Sequence, residues 1–133
     1  MRKFSDIILE SFDNGIQFGE EIQINNYQLL LPVIVDGQEM SVDDINFIIE
    51  PHEVNGETLY QPHINIIDRL QHHGLGYRIY LAFLHEFGNL YSSHWCRTNN
   101  KEIPAIYDKL SREPDIRVVK TKDYYYAYLE NQE

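Results

Sequence analysis

The sequence predicts a mixed α/β (α+β) domain: a twisted, mostly antiparallel sheet with flanking helices, built from residues 1–133 as one unit. Three observations predict it. The chain has 133 residues, 43% of them apolar, which is the size and composition of one ordinary core. Its first half carries short apolar runs separated by Asn-Asn, Asp-Gly and Asn-Gly, the punctuation of strands and hairpins. After residue 70 the apolar period changes from two to that of a helix, and strand, helix and strand patterns then alternate to the end.

Each element follows in order. Residues 5–13 suit a short helix, with Ser5 as N-cap and Asn14-Gly15 as its stop. Residues 22–25 and 28–35 are apolar runs joined at Asn25-Asn26, and Pro32 marks an edge or bulge in the second. Asp36-Gly37 is a turn. Residues 45–50 and 58–67 flank Asn55-Gly56, a strong hairpin signal. His63-Ile64-Asn65-Ile66 alternates as a half-buried strand does. A helix then follows Gly76, with Ile79, Ala82, Phe83 and Phe87 on one face and Gly88 as its stop. Residues 90–95 read as a strand, so 58–95 form one parallel crossover. Residues 101–111 read as a second helix, and 116–120 and 124–129 as a closing hairpin around Thr121-Lys122-Asp123.

The bulk numbers narrow the setting. No apolar run is long enough for a membrane span. Asp6 and Glu10 interrupt the apolar start and no small-residue cleavage site follows, so no signal peptide is expected. A single cysteine, Cys96, fits a reducing compartment, with cytoplasm the default. The net charge is −10, and all of it lies in residues 1–60, where twelve acids face only Arg2 and Lys3. Such a field repels nucleic acid; solubility accounts for it, and so does an acidic face for a cationic ligand.

Gln71-His72-His73-Gly74-Leu75-Gly76 sits between a strand and a helix. A helix N-terminus offers unpaired N–H groups and partial positive charge, and glycines let the backbone approach a bulky anion. Together these make a phosphate or pyrophosphate site, and Arg69 and Arg78 bracket it. A tight turn with close helix packing explains the same two glycines. No Gly-Lys-Ser/Thr follows, so this is no Walker loop, and the third glycine of a dinucleotide fingerprint is missing.

These residues resemble the GNAT superfamily of acyl-CoA N-acyltransferases, whose Gln/Arg-x-x-Gly-x-Gly/Ala signature lies between the fourth strand and the next helix. Gln71, Gly74 and Gly76 match it. Asn100 and Tyr107 match the family's Asn and Tyr seven positions apart, and the hairpin 116–129 fits the order of elements. The likeness covers roughly residues 45–129 and looks like the small bacterial and phage-encoded members. It implies a GNAT-like fold with a shortened N-terminal part, where one short helix stands in place of a strand and two helices. The activity implied is transfer of an acetyl group from acetyl-CoA, as co-substrate, to a primary amine by direct attack. The pyrophosphate would lie on the N–H groups of His73, Gly74, Leu75, Gly76 and Tyr77, with Gln71, His72 and Arg78 around it. The pantetheine arm would pair with Ile64, Asn65 and Ile66, and Asn100 would hydrogen-bond it. Tyr107 would protonate the leaving thiolate.

His63, Glu50 and Glu57 are the candidates for general base, with His63 preferred because histidine exchanges protons near neutral pH. The acidic first half suits a cationic acceptor, such as a polyamine, an aminoglycoside-like molecule or a lysine side chain of a peptide. No nucleic-acid or membrane partner is expected, and the chain would act as a monomer or homodimer. A non-catalytic protein that keeps the fold, and CoA binding with it, is the second reading, favoured by the shortened N-terminus.

Other constellations carry less. No metal site is expected: His72-His73 point apart, His85-Glu86 lacks a second histidine, and His63 with His94 lacks a third ligand. Ser92, Ser93, His94 and Cys96 share one strand without a nucleophile elbow. Tyr124, Tyr125, Tyr126 and Tyr128 could stack bases, but the negative charge opposes nucleic acid and strand packing is the simpler account.

Overall fold

Helix α1 (Leu75–Phe87) and helix α2 (Glu102–Leu110) cover one face of a set of antiparallel ladders in the computed structural model, which describes residues 13–93 and 102–130. The expected helix at 5–13, Asn100, His94 and Cys96 lie outside the described residues. The strands are β1 (Ile16–Phe18), β2 (Ile22–Gln23), β3 (Leu29–Leu30), β4 (Val33–Val35), β5 (Gln38–Glu39), β6 (Ile45–Val54), β7 (Glu57–Ile66), β8 (Asn89–Ser93), β9 (Ile116–Lys120) and β10 (Tyr124–Leu129). They form three ladders, ordered β1-β4-β5, β2-β3-β6-β7 and β8-β10-β9.

The long β6–β7 hairpin is the frame. Asn55 and Gly56 both take positive φ, 54° and 82°, which a type I′ turn requires. Asp36 and Gly37, at 50° and 87°, close the β4–β5 hairpin the same way. The β6–β7 register runs from Ile45↔Ile66 to Val54↔Glu57. Period two sends Ile45, Phe47 and Ile49 toward the helices and Asn46, Ile48, Glu50 and His52 to the opposite face. The expected strand 45–50 continues to Val54 through Pro51. Strand β3 pairs only Ile48 and Ile49, so at Pro51 the outer edge of β6 is uncovered and the missing N–H costs no ladder bond.

The single strand expected at 28–35 is two strands. At Pro32 the chain changes partners: Leu29 and Leu30 pair with β6, while Val33–Val35 pair with β1 and β5. The Leu31 N–H still reaches the Phe47 carbonyl at 2.9 Å, and the Pro32 carbonyl accepts from Gly19 N at 2.9 Å. Proline has no N–H to extend the first ladder. Strands β1 and β5 were not anticipated. The run expected at 22–25 keeps only two ladder residues, and the strand expected at 90–95 is described over 89–93.

Helix α1 buries Leu75, Ile79, Tyr80, Leu81, Ala82, Phe83 and Leu84, more than one face, because it has neighbours on two sides. Phe83 packs edge-on to Phe47 (5.8 Å) and stacks on Phe87 (4.5 Å), while Tyr80 meets Tyr107 of α2 (6.4 Å). Gly88 ends the helix at φ 101°, its N–H bonded to the Leu84 carbonyl. Pro104 lies in the first turn of α2, where a proline is tolerated.

Candidate functional site

Strands β7 and β8, joined through α1, are where the expected parallel pair belongs. No ladder joins their described residues: β7 is the edge of one sheet and β8 the edge of another. One side chain spans them. Asn89, nearly buried, accepts from the Tyr60 N–H at 3.0 Å and donates to the Thr58 carbonyl at 3.0 Å. The two strands therefore start side by side, and the amide of Asn89 substitutes for backbone pairing at that end. Beyond it, the facing edges of β7 and β8 share no ladder.

On the helix side, the far end of β7 leads into the loop 71–74 and the start of α1. A cavity of about 280 Å³ lies there, lined by Ile66, Leu70, Gln71, His72, Gly74, Leu75, Gly76 and Tyr77 and by Glu102, Ala105, Ile106 and Lys109 of α2. Gly74 is the N-cap of α1 in left-handed conformation (φ 76°), so no side chain caps the helix, and the first turn holds no acid. His72 is also left-handed at φ 67°. Left-handed residues either side of His73 curl the backbone into the kind of turn that collects N–H groups around an anion. A Cβ on Gly74 would meet nothing within 4 Å, so its conformation alone demands glycine. A Cβ on Gly76 would approach Ile106 Cδ1 at 3.2 Å, so this glycine lets α2 pack close to α1. Both glycines thus have structural reasons, and the first of them leaves the helix start open.

The side chains around the loop are less available than their sequence positions suggest. Gln71 turns back, donating to the Ile66 carbonyl at 2.8 Å and contacting Asp68 Oδ1 at 3.3 Å, and so fixes the exit of β7. Arg69 pairs with Asp44 at 2.8 Å. Arg78 donates to the Asn14 carbonyl, at 2.7 Å from Nη2, and to Asp36 at 3.0 Å, which ties β1 and the β4–β5 turn to α1. Neither arginine lines the loop's cavity. Among the described residues the cation that does is Lys109, whose Nζ also lies 5.6 Å from the centre of the Tyr77 ring. Sequence reading missed it because its place depends on how α2 docks on α1. The Tyr77 hydroxyl donates to Glu113, and burial followed by that carboxylate pushes its pKa up to about 12, so it stays a phenol.

Tyr107 is fully buried, and its hydroxyl lies 2.9 Å from Ser92 Oγ on β8, with either atom able to donate. It lines neither this cavity nor the next one.

On the face away from the helices lies a larger cavity of about 570 Å³, bounded by His52, Val54, Glu57, Leu59 and Gln61 of β6–β7 and by Tyr91, Ser93, Tyr124 and Tyr126 of β8 and β10. The β8–β10 register, Tyr126↔Tyr91 and Tyr124↔Ser93, brings these tyrosines to one face. Beside it, Gln61 Nε2 lies 3.3 Å from Glu50 Oε1 and 3.4 Å from His63 Nε2. Glu50 Oε1 is also 3.5 Å from His63 Nε2 and 3.4 Å from His52 Nε2, and Gln28 donates to Glu50 Oε2 at 2.8 Å. Burial alone raises the Glu50 carboxyl, but the Gln28 hydrogen bond and the two histidines outweigh it and hold the pKa below the ordinary 4.5. Two of the three expected base candidates, Glu50 and His63, thus come together. Glu57 lies apart, near the hairpin turn, facing Tyr126, whose phenol is raised by burial and by the Glu57 charge.

No three His, Cys, Asp or Glu side chains among the described residues converge to hold a metal ion. No described helix is long and apolar enough to cross a membrane.

No protein-family model matches this sequence, and no curated protein matches it. Among solved structures, the chain path overlaps that of the acetyltransferase of GNAT family from Streptococcus pneumoniae over 81% of this chain and 70% of that one, with 14% identity and a TM-score of 0.47. An overlap at that level names no activity for this chain.

Proposed function

We propose that this protein is an acyl-CoA-dependent N-acyltransferase that moves an acetyl group onto a primary amine, with the thioester arm lying in the gap between β7 and β8. One observation carries the reading: two sheet edges lie side by side, clamped at one end by Asn89 and leading at the other to an uncapped helix start. Unladdered edges suit an extended, amide-bearing chain that adds as a strand, and the open N-terminus of α1 suits its pyrophosphate.

In this reading the pyrophosphate rests on the N–H groups of residues 73–77, and Lys109 adds the positive charge first assigned to Arg78. Glu102 lines the same cavity and opposes an anion, which limits affinity. The arm pairs with the edge at Ile64, Asn65 and Ile66. The amine enters from the open face and attacks the thioester carbonyl. His63 accepts the ammonium proton, and Glu50, 3.5 Å away, stabilises the imidazolium that forms. A β7 N–H stabilises the oxyanion; its collapse breaks the C–S bond, and the thiolate that leaves takes its proton from water. Positioning the amine against the carbonyl supplies much of the rate.

A second reading, a protein that holds acyl-CoA without turnover, is favoured by the burial of Tyr107. The hydroxyl that should reprotonate the thiolate is bonded to Ser92 and lines neither cavity. Release of free thiol from acetyl-CoA, followed across a panel of primary amines, separates the two. Amine-dependent release supports the transferase, while acetyl-CoA binding without release supports the second reading.

A further inference from the structure

We infer that the open-face cavity takes an arylalkylamine whose ring carries a hydrogen-bond donor, in place of the polyamine or aminosugar that net charge alone suggests. This rests on the acyl-transfer reading for the fate of the amine, but the ligand class follows from the cavity itself. At about 570 Å³ it is the size of a small-molecule site.

Its walls are mostly apolar, broken at mid-span by His52, which pairs across from Leu59. Val54 and Leu59 stand on one side. On the other, the rings of Tyr91 and Tyr124 lie 5.5 Å apart at 35°. Between the ends a polyhydroxylated sugar would find few partners, His52 and Ser93 beside the tyrosine hydroxyls, and a thread-like polyamine would leave much of the tyrosine faces uncovered. A flat ring pairs with tyrosine faces at no such cost.

Its ends are polar and differ. One is Gln61, in contact with Glu50 and His63, where the proposed chemistry takes the amine. The other is Glu57, beside Tyr126. Gln61 and Glu57 are four residues apart on β7, about 13 Å at strand rise. A single ring with a two-carbon arm fills that span once a hydrogen bond of about 2.8 Å is added at each end. Glu57 then accepts from the ring's own donor, a phenolic hydroxyl or a ring N–H.

The test is calorimetric titration of the whole chain without acetyl-CoA, using 4-hydroxyphenethylamine, phenethylamine and spermidine. The same titrations follow on Glu57→Gln and Tyr124→Ala, with acetyl-CoA titrated in parallel on each. Glu57 is exposed, so its glutamine variant should fold, and a melting curve checks this. Expected is the order hydroxylated, then plain, then spermidine, with about tenfold between the first two from a hydrogen bond to a charged acceptor. Glu57→Gln should collapse that first gap, and Tyr124→Ala should weaken both ring amines while sparing spermidine. Spermidine binding as tightly as the ring amines would overturn the inference, as would a hydroxyl preference that survives in Glu57→Gln. Acetyl-CoA binding with no ring preference sinks this inference and leaves the transferase reading. The expected ring-amine order without acetyl-CoA binding leaves the inference and sinks the transferase reading.

Discussion

Replacing Asn89 with alanine removes the side chain that clamps β7 to β8, and the structure sets the size of the effect. The Asn89 amide makes two bonds of 3.0 Å, one to Tyr60 N and one to the Thr58 carbonyl, and no ladder between these strands can replace them. A buried polar group left unpaired costs about 1–3 kcal/mol. Tyr60 and Thr58 are only partly buried, so water recovers some of this, and about 2–4 kcal/mol is expected for the pair. Unfolding entropy near 2.1 cal/mol/K per residue converts that to a fall in melting temperature of about 7–14 °C for a chain of this length. Differential scanning calorimetry reads it directly. Asn89→Asp keeps the acceptor for Tyr60 but sets a carboxylate against the Thr58 carbonyl, so it should destabilise as well. A melting temperature for Asn89→Ala within about 2 °C of wild type, less than one such bond is worth, would refute the idea that this amide holds the two edges together.

Three further outcomes are expected. Gly74→Glu should abolish acetyl-CoA binding while Gly74→Asn, which tolerates left-handed φ, retains most of it; equal loss in both folded variants would remove the helix start from the site. Tyr107→Phe removes a buried hydroxyl that lines neither cavity, so acetyl-CoA binding and turnover should stay near wild type; slowed turnover with unchanged binding would contradict this. The variant should still lower stability by about 1–3 kcal/mol because Ser92 Oγ loses its buried partner. A purely structural role would move the melting temperature alone. For Glu50, a folded pKa below 4.5 means the carboxylate stabilises the fold above that pH and ceases to as pH falls through the lowered value. The gap in melting temperature between wild type and Glu50→Gln should therefore shrink below pH 4.5, and a constant gap would contradict the assignment.

From residue 45 onward much was legible because its signals are local. Asn55-Gly56 demanded a type I′ turn, Gly88 a helix stop, and Thr121-Lys122-Asp123 a hairpin, and each lies where its chemistry placed it. Residues 16–39 were read poorly because their strands are two or three residues long and trade partners at Pro32, which no periodicity reports. The open helix start at Gly74 was legible because the backbone makes it. The candidate site was illegible where docking decides it. Arg78 is beside the loop in sequence, yet it points to Asn14 and Asp36, while Lys109 arrives from α2. Tyr124 and Tyr126 read as ordinary strand packing because only the gap between β7 and β8 turns their face into a cavity wall.

The central claim is that the open start of α1 and the unladdered β7–β8 gap receive an acyl-CoA. Thermal melting with acetyl-CoA, with ATP and NAD as controls, tests it most directly. At a hundred times its dissociation constant the ligand adds about 2.7 kcal/mol, a rise of about 10 °C for a chain of this length. The account predicts that rise with acetyl-CoA and none of comparable size with ATP or NAD. A melting temperature unmoved by millimolar acetyl-CoA would contradict it and leave Gly74 and Gly76 with only the turn and the helix packing they already serve.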